Sequence, residues 1–208
     1  MRTPSHKATP TARPPRRRRG ALRVASLLDA AGAVFAAKGF AAATMTEIAA
    51  HAGASIGSLY QFFPTKEVLA DALIDKYTKA LYGRLEALAA HARDWDAAML
   101  TDRLLPLFVE FRAEHSAFNA LADSPDVPAA RRDEVRRMLR RLIAAILAAH
   151  SPRLARADVA ASAVAVLQMM KAAVAIDADP TVADKSRARR ELRAMLLGYL
   201  AARPVPRA

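Results

Sequence analysis

The stretch TMTEIAAHAGASIGSLYQFFPTKE, residues 44–67, decides the fold of this chain. Thr44 stands three residues before Glu47, a spacing that is typical of a capping box and that predicts the start of a helix. Gly53 ends that helix, and Ser55 is placed to cap a second short helix. The stretch therefore predicts two short helices that are joined by a tight turn.

Two such helices form a helix-turn-helix when their inner faces are apolar and their turn accepts a left-handed residue. Gly53 suits the turn because glycine has no Cβ and adopts positive φ without strain. The first helix needs small inner groups, and the second needs a few large apolar anchors. The residues predicted for these two tasks are Ile48, Ala49, Ala52, Leu59 and Phe63.

The outer face of the second helix carries small and polar residues, which are Ser55, Gly57, Ser58 and Gln61. A helix with such a face fits the major groove of B-DNA, which is about 12 Å wide. The motif therefore predicts an interface for double-stranded DNA.

Upstream of the motif, the sequence predicts a helix from Arg23 that Gly39 caps at its C-terminal end. Residues 1–22 precede this helix and are rich in proline, threonine and arginine. Eight basic residues and no acidic residue lie between Met1 and Arg23, in a chain whose formal net charge is +12. We expect a disordered basic arm that favours a polyanionic partner. An idle solubilising tail is the alternative.

Downstream of the motif, the apolar spacing predicts five more helices, and Pro106 is expected to kink the second of them. The break between the second and third falls at residues 123–128. Glycine is scarce and alanine and leucine dominate, so the fold class is predicted to be all-α. The five helices are predicted at about residues 66–91, 95–114, 129–150, 158–176 and 184–202.

Several classes of function are disfavoured by what the sequence lacks. It contains no cysteine, which excludes disulfides and thiolate metal sites. His91, His115 and His150 lie apart and do not have metal-ligand spacing, so neither a metal nor a cofactor is expected. No apolar run approaches the ~20 residues of a membrane span, and no secretory signal is present, which favours the cytoplasm. A helical enzyme and a membrane-surface protein are the rival interpretations, but no catalytic motif and no bulky apolar arm supports them.

The chain resembles the TetR family of regulators over about residues 23–70. The resemblance rests on FAAKGF at residues 35–40, TMTEIA at residues 44–49 and AGASIGSLYQFFPTKE at residues 52–67. Ala43, Ala54 and Phe62 depart from the residues that are common in the family. The lost hydroxyls at positions 43 and 62 bring any phosphate contacts there into question.

The resemblance implies a role for individual residues of the motif. Thr44, Tyr60 and Lys66 would bind phosphates, and the helix that begins at Lys66 favours an anion at its N-terminus. Other interpretations stay open: Thr44 and Ser55 serve only as caps, Tyr60 packs half-buried, or Ile56 belongs to the core. The full set of predicted DNA-binding residues is Arg18, Arg19, Thr44, Thr46, Ser55, Ile56, Gly57, Ser58, Tyr60, Gln61 and Lys66.

The resemblance also implies a division of the chain: DNA binding at residues 23–66, ligand sensing and dimerisation at residues 67–202, and a tail at 203–208. The protein is expected to be a homodimeric repressor that a small molecule releases from a pseudo-palindromic operator. The predicted dimer residues are Val159, Ala163, Val166, Met170, Leu192, Met195, Leu196 and Tyr199, with packing inside one chain as the alternative. Seven bulky side chains are predicted either to line a ligand cavity or to belong to the plain core. They are Trp95, Met99, Phe108, Phe111, Met138, Met169 and Met170.

Overall fold

The computed structural model describes residues 18–122, 124–125 and 127–203. These residues form an all-α structure without strands, as the sequence predicted. Residues 1–17 and 204–208, and with them most of the predicted arm and tail, lie outside the described residues. The helices are α1 (Arg18–Ala42), α2 (Met45–His51), α3 (Ile56–Phe62), α4 (Lys66–His91), α5 (Ala97–Glu114), α6 (Ser116–Ala122), α7 (Ala129–His150), α8 (Arg156–Ala178) and α9 (Lys185–Ala201), with a 3-10 turn at Ala92–Asp94.

The first helix begins earlier than predicted, at Arg18 rather than Arg23. Residues 18–22 are therefore helical and do not belong to a disordered arm. Arginine, alanine and leucine favour helices, and they outweigh the single glycine in this segment. At the other end, Gly39 has φ 76° and ψ 172°, which interrupts α1 where the sequence predicted a glycine cap.

The chain divides into two compact units, and the boundary lies within α4, after Tyr77. The first unit comprises the chain up to Tyr77 together with Ser116–Pro128, and the second comprises Thr78–His115 and Ala129–Ala208. This division differs from the predicted boundary at residue 66, because α4 runs on without a break. It also differs because α6, which the sequence did not predict as a separate helix, packs on α1.

The core of the first unit consists of large apolar side chains from its helices, whose burial stabilises the unit in proportion to the apolar area removed from water. Tyr77 of α4 packs edge-on against Phe118 of α6, with ring centroids 6.1 Å apart. The fully buried residues include Leu27, Phe35, Ile48, Leu59, Leu69, Leu73 and Phe118.

The second unit is built around α5 and α8, which pack on each other and on α9, and α8 also packs on α7. The helix α5 continues through Pro106. The residues that fill this core include Leu100, Leu104, Phe108, Phe111, Ile143, Val166, Met170 and Leu196. By length and composition alone, α1 and α8 could each cross a membrane, although no such run was expected from the sequence. Each of them instead contributes buried residues to the core of its unit.

Candidate nucleic-acid interface

Thr44 begins α2 through the capping box that the sequence predicted. The backbone N–H of Glu47 donates to Thr44 Oγ1 at 3.2 Å, and the N–H of Thr44 donates to Glu47 Oε2 at 3.1 Å. The Thr44 hydroxyl also donates to Glu47 Oε2, at 3.0 Å. Both donors of Thr44 are therefore directed at one carboxylate, and its role as a cap is confirmed.

Glu47 is the acidic centre of this cap. The ammonium of Lys38 at the end of α1 pairs with its second carboxylate oxygen. These hydrogen bonds, from Lys38 first and then from Thr44, hold the pKa of Glu47 below its usual range. The carboxylate therefore stays charged at neutral pH and ties α2 to α1.

The turn between α2 and α3 depends on Gly53, whose φ of 59° lies in the left-handed region, as predicted. Ser55 then caps α3, because its Oγ accepts the N–H of Ser58 at 3.2 Å. Leu59 and Phe63 are buried, so α3 is anchored by the residues that the sequence predicted. Together these contacts fix the orientation of α3.

The outward face of α3 carries Ile56, Gly57, Tyr60 and Gln61, which are all exposed. Ile56 is 39% exposed, which argues against the alternative that placed it in the core. Tyr60 is 47% exposed, so the alternative that it packs half-buried stays open. Within the part of the chain that the structure describes, the side chains of Tyr60 and Gln61 have no protein partner. Their hydrogen-bonding groups are available to a ligand.

Three further predicted residues of the same unit have side-chain donors without a partner among the residues that the structure describes. Thr46 on α2 is exposed, and so are Arg18 and Arg19 in the first turn of α1. Ser58, in contrast, is half-buried. The hydroxyl of Ser55 accepts a hydrogen bond as a cap but keeps its own proton for a partner.

Lys66 has a different role from the phosphate contact that the resemblance implied. Its ammonium donates to the carbonyl oxygens of Phe40, Ala41 and Ala43, at 2.8, 3.0 and 3.0 Å. It also lies 4.6 Å from the centroid of the Phe40 ring. All three donors of the ammonium are used at the C-terminal end of α1, so the prediction for Lys66 is corrected.

Comparison with known proteins matches both parts of the chain. Residues 27–73 match the model of bacterial regulatory proteins of the tetR family. Residues 94–200, just over half of the chain, match the model of the tetracyclin repressor-like C-terminal domain. The chain belongs to the TetR family.

Individual relatives agree with this assignment. The chain is 34% identical over 91 residues to the HTH-type transcriptional repressor KstR2 of Rhodococcus jostii, and the match spans 44% of each chain. A TetR-like transcriptional regulator from Rhodococcus sp. RHA1 is 26% identical, with a TM-score of 0.63 over 92% of this chain and 100% of that one. FadR of Bacillus subtilis, solved with stearoyl-CoA, has the same TM-score at 15% identity, over 86% of this chain and 97% of that one, and so shares the fold.

The bulky side chains predicted to line a ligand cavity, or to belong to the core, differ in their exposure. Phe108, Phe111 and Met170 are buried in the core of the second unit, and Met99 is exposed. Trp95, Met138 and Met169 are half-buried, and Trp95 stacks on His91 with ring centroids 6.1 Å apart. A cavity of about 370 Å³ opens on α5, α8 and α9, and none of the predicted residues lines it.

Most of the residues predicted for the dimer interface pack inside the chain, which was the alternative interpretation. Only Met195 among them is well exposed, at 64%, and Tyr199 is half-buried. The apolar stripe that was selected from the sequence is thus the inner side of these helices. The predicted residues that are buried within one chain are Val159, Ala163, Val166, Met170, Leu192 and Leu196.

Proposed function

We propose that this TetR-family protein is a sequence-specific DNA-binding regulator, and that the outward face of α3 reads its operator. The exposed face of Ile56, Gly57, Tyr60 and Gln61 carries this proposal. The helix is rigidly anchored by buried residues and capped at Ser55, while its outer groups have no competing partners in the described structure. A preorganised helix with free donors is what major-groove recognition requires.

Each exposed group has a chemistry that suits one part of the duplex. The amide of Gln61 matches the donor–acceptor pair of adenine, and the methyl groups of Ile56 suit a thymine methyl. The hydroxyls of Ser55, Thr46 and Tyr60 can donate to phosphate oxygens. Gly57 has open space around its Cα, which lets the backbone approach the bases closely.

The basic residues supply affinity that does not depend on sequence. Arg18 and Arg19 are exposed at the start of α1 and make no ion pair within the described residues. Five further basic residues, in the part of the chain before Arg18, can extend the same electrostatic footprint. A plot of the logarithm of the binding constant against the logarithm of the salt concentration has a negative slope. Each phosphate that the protein neutralises makes this slope steeper by about 0.9.

We propose a homodimer that is formed through the outward sides of α8 and α9. On α8, one side of the helix exposes Ala157, Ala161, Val164, Gln168 and Ala175, and the same row contains the half-buried Lys171. Alanine at three of these positions allows a second helix to approach closely. A second copy of the chain is the expected occupant, because two recognition helices must be aligned on a pseudo-palindromic operator.

The adjoining helix α9 presents a matching surface. Ala194, Met195 and Gly198 are exposed on it, and Met195 is the most exposed large apolar residue next to α8. A thioether adapts to irregular surfaces, and the small neighbours leave room for it. The proposed interface therefore uses residues that differ from most of those predicted from the sequence.

We further propose that the protein represses transcription and that a small molecule releases it from DNA. The name of KstR2, a repressor, supports the first part, and the acyl-CoA bound to FadR supports the capacity of this fold for a ligand. A ligand shifts the equilibrium between the DNA-binding state and the released state only by the difference between its affinities for these two states. This difference is typically about 1–3 kcal/mol. The same proposal makes the protein a cytoplasmic regulator without enzyme activity.

The test is selection of genomic fragments with the purified protein, followed by sequencing of the bound DNA. We expect a short pseudo-palindromic motif, and we expect Gln61→Ala to relax preference at one base position in each half-site, by roughly 1–3 kcal/mol. Tyr60→Phe should instead weaken binding to all sequences equally. Tyr82→Phe, at an exposed tyrosine on α4, serves as the control. Enrichment of no motif would overturn sequence-specific binding, and liposome binding in its place would favour the membrane-surface interpretation.

A further inference from the structure

The cavity on α5, α8 and α9 has the size and lining of a small-molecule site. Its volume of about 370 Å³ is at the lower end of the ~300–1,000 Å³ typical of ligand pockets. Its apolar floor comes from all three helices: Leu105 and Val109 of α5, Ala173 of α8 and Leu192 of α9. We call this cavity the α5–α9 groove.

Pro106 gives the groove a free backbone acceptor. Proline has no N–H, so the carbonyl of Asp102, four residues earlier, cannot receive the usual helical hydrogen bond. Pro106 and Asp102 both line the groove, so the carbonyl belongs to a residue of its lining. An acceptor that is left open inside a helix attracts a donor from a ligand or from water.

The charged groups of the groove add to this excess of acceptors. The guanidinium of Arg193 is held by the carboxylate of Asp102 through two hydrogen bonds of 2.6 and 2.8 Å. The guanidinium of Arg189 is held by Asp177. Glu110, in contrast, has no partner among the described residues. Both cations are thus neutralised while one carboxylate and one carbonyl remain open.

We propose that the α5–α9 groove binds a small amphiphilic amine, with its apolar body on the floor and its ammonium directed at Glu110. An ammonium pairs with a carboxylate through charge-assisted hydrogen bonds, which suits Glu110. The Asp102 carbonyl lies eight residues earlier, about 12 Å along α5, and is left for water or for a donor on another part of the ligand. The binding site stands on the groove alone. That its occupation changes DNA binding rests on the function proposed above.

The net charge of the whole protein opposes the selectivity for an amine that we propose for the groove. The formal net charge of +12 repels cations and attracts anions in general. Preference for an amine over a carboxylate of the same length therefore requires a local site that overcomes the global field.

The experiment measures binding of decylamine, decanol and decanoate to the full-length protein by calorimetry, without DNA and below micelle-forming concentrations. We expect decylamine to bind with one site per chain and more tightly than the other two. Glu110→Gln should weaken decylamine about three- to tenfold and leave decanol unchanged, as expected for one partly exposed ion pair. Glu86→Gln, at an exposed glutamate on α4 outside the groove, should leave both unchanged. Val109→Trp should fill the groove and abolish binding of all probes.

Several results would overturn the proposal. These are absence of decylamine binding, decanoate binding as tightly as decylamine, and unaltered binding to the Val109→Trp variant. Dissociation of a dimer by Val109→Trp, without any binding of a probe, would identify the groove as a contact between copies. Because no DNA is present, the outcome is separate from the test of operator binding. Adding decylamine to the operator complex afterwards shows whether occupation of the groove releases DNA.

Discussion

The ammonium of Lys66 lies 2.8 Å from the carbonyl oxygen of Phe40, 26 residues earlier in the chain. Two more carbonyls, of Ala41 and Ala43, complete its set of acceptors. These carbonyls belong to the end of α1 and the link to α2, where helical N–H donors have run out. Lys66 therefore joins the start of α4 to the end of α1 and stabilises the frame that carries the recognition helix.

We expect Lys66→Met to lower the free energy of unfolding by about 2 kcal/mol, because it leaves partly buried carbonyls without a donor. DNA affinity should fall, but the salt slope should remain that of the unmodified protein. Removal of a phosphate-binding cation would instead reduce the slope by about 0.9. Binding titrations across a salt series, with thermal unfolding beside them, make the distinction. Lys79→Met, at an exposed lysine on α4, is the matched control.

Gly32→Ala should destabilise the first unit. A Cβ on Gly32 would lie 2.7 Å from the hydroxyl oxygen of Tyr77, which is buried and cannot move freely. Replacing a helical glycine with alanine raises the free energy of unfolding by up to about 1 kcal/mol, whereas overpacking lowers it by about 1–3 kcal/mol. We therefore expect the variant to be less stable than the unmodified protein. Gly83→Ala, in α4 with open space around it, should be neutral or stabilising.

The double variant Gly32→Ala with Tyr77→Phe tests the cause of that loss. Burial, helped by the carboxylate of Asp29, raises the pKa of Tyr77, so the group in contact is a neutral hydroxyl. Removing it makes room for the new methyl group, and chemical denaturation should show favourable coupling between the two changes. Strictly additive losses would mean that the close approach to Tyr77 is not responsible.

Met195→Glu should convert the dimer to a monomer at micromolar concentration. The substitution places a charge at the centre of the exposed surface proposed for the interface, where desolvation would make it costly. Met99→Glu makes the same chemical change at an exposed methionine on α5 and should leave the dimer intact. Light scattering measures the molar mass of the unmodified protein and of the two variants. If the unmodified protein is a monomer both alone and with DNA, the result contradicts dimerisation itself.

Deletion of residues 1–17 should lower DNA affinity and flatten the salt dependence without changing the preferred sequence. The deletion removes Arg2, Lys7, Arg13, Arg16 and Arg17 but retains Arg18 and Arg19, which start α1. The slope falls by about 0.9 for each phosphate that the shortened protein no longer neutralises. The net decrease in affinity should be modest, because ordering a flexible segment costs entropy. Identical slopes for the two proteins would favour the idle-tail interpretation.

The sequence alone predicted the capping box at Thr44, the left-handed turn at Gly53 and the cap at Ser55. It also predicted the bounds of α4 and α7 and the buried anchors Leu59 and Phe63. These features depend on interactions between residues a few positions apart, or on an apolar period that allows one inner face. Local chemistry is sufficient for them.

Tertiary structure alone decided which sides of α8 and α9 are buried, and where Lys66 and the α5–α9 groove acquire their partners. Apolar residues stand on almost every side of α8, so its sequence does not indicate which side faces the core. Val166 is buried there, whereas Val164, two residues away, is exposed. The acceptors of Lys66 are more than 20 residues distant in the chain. Such contacts depend on how separate helices pack, and no periodicity within one helix encodes that packing.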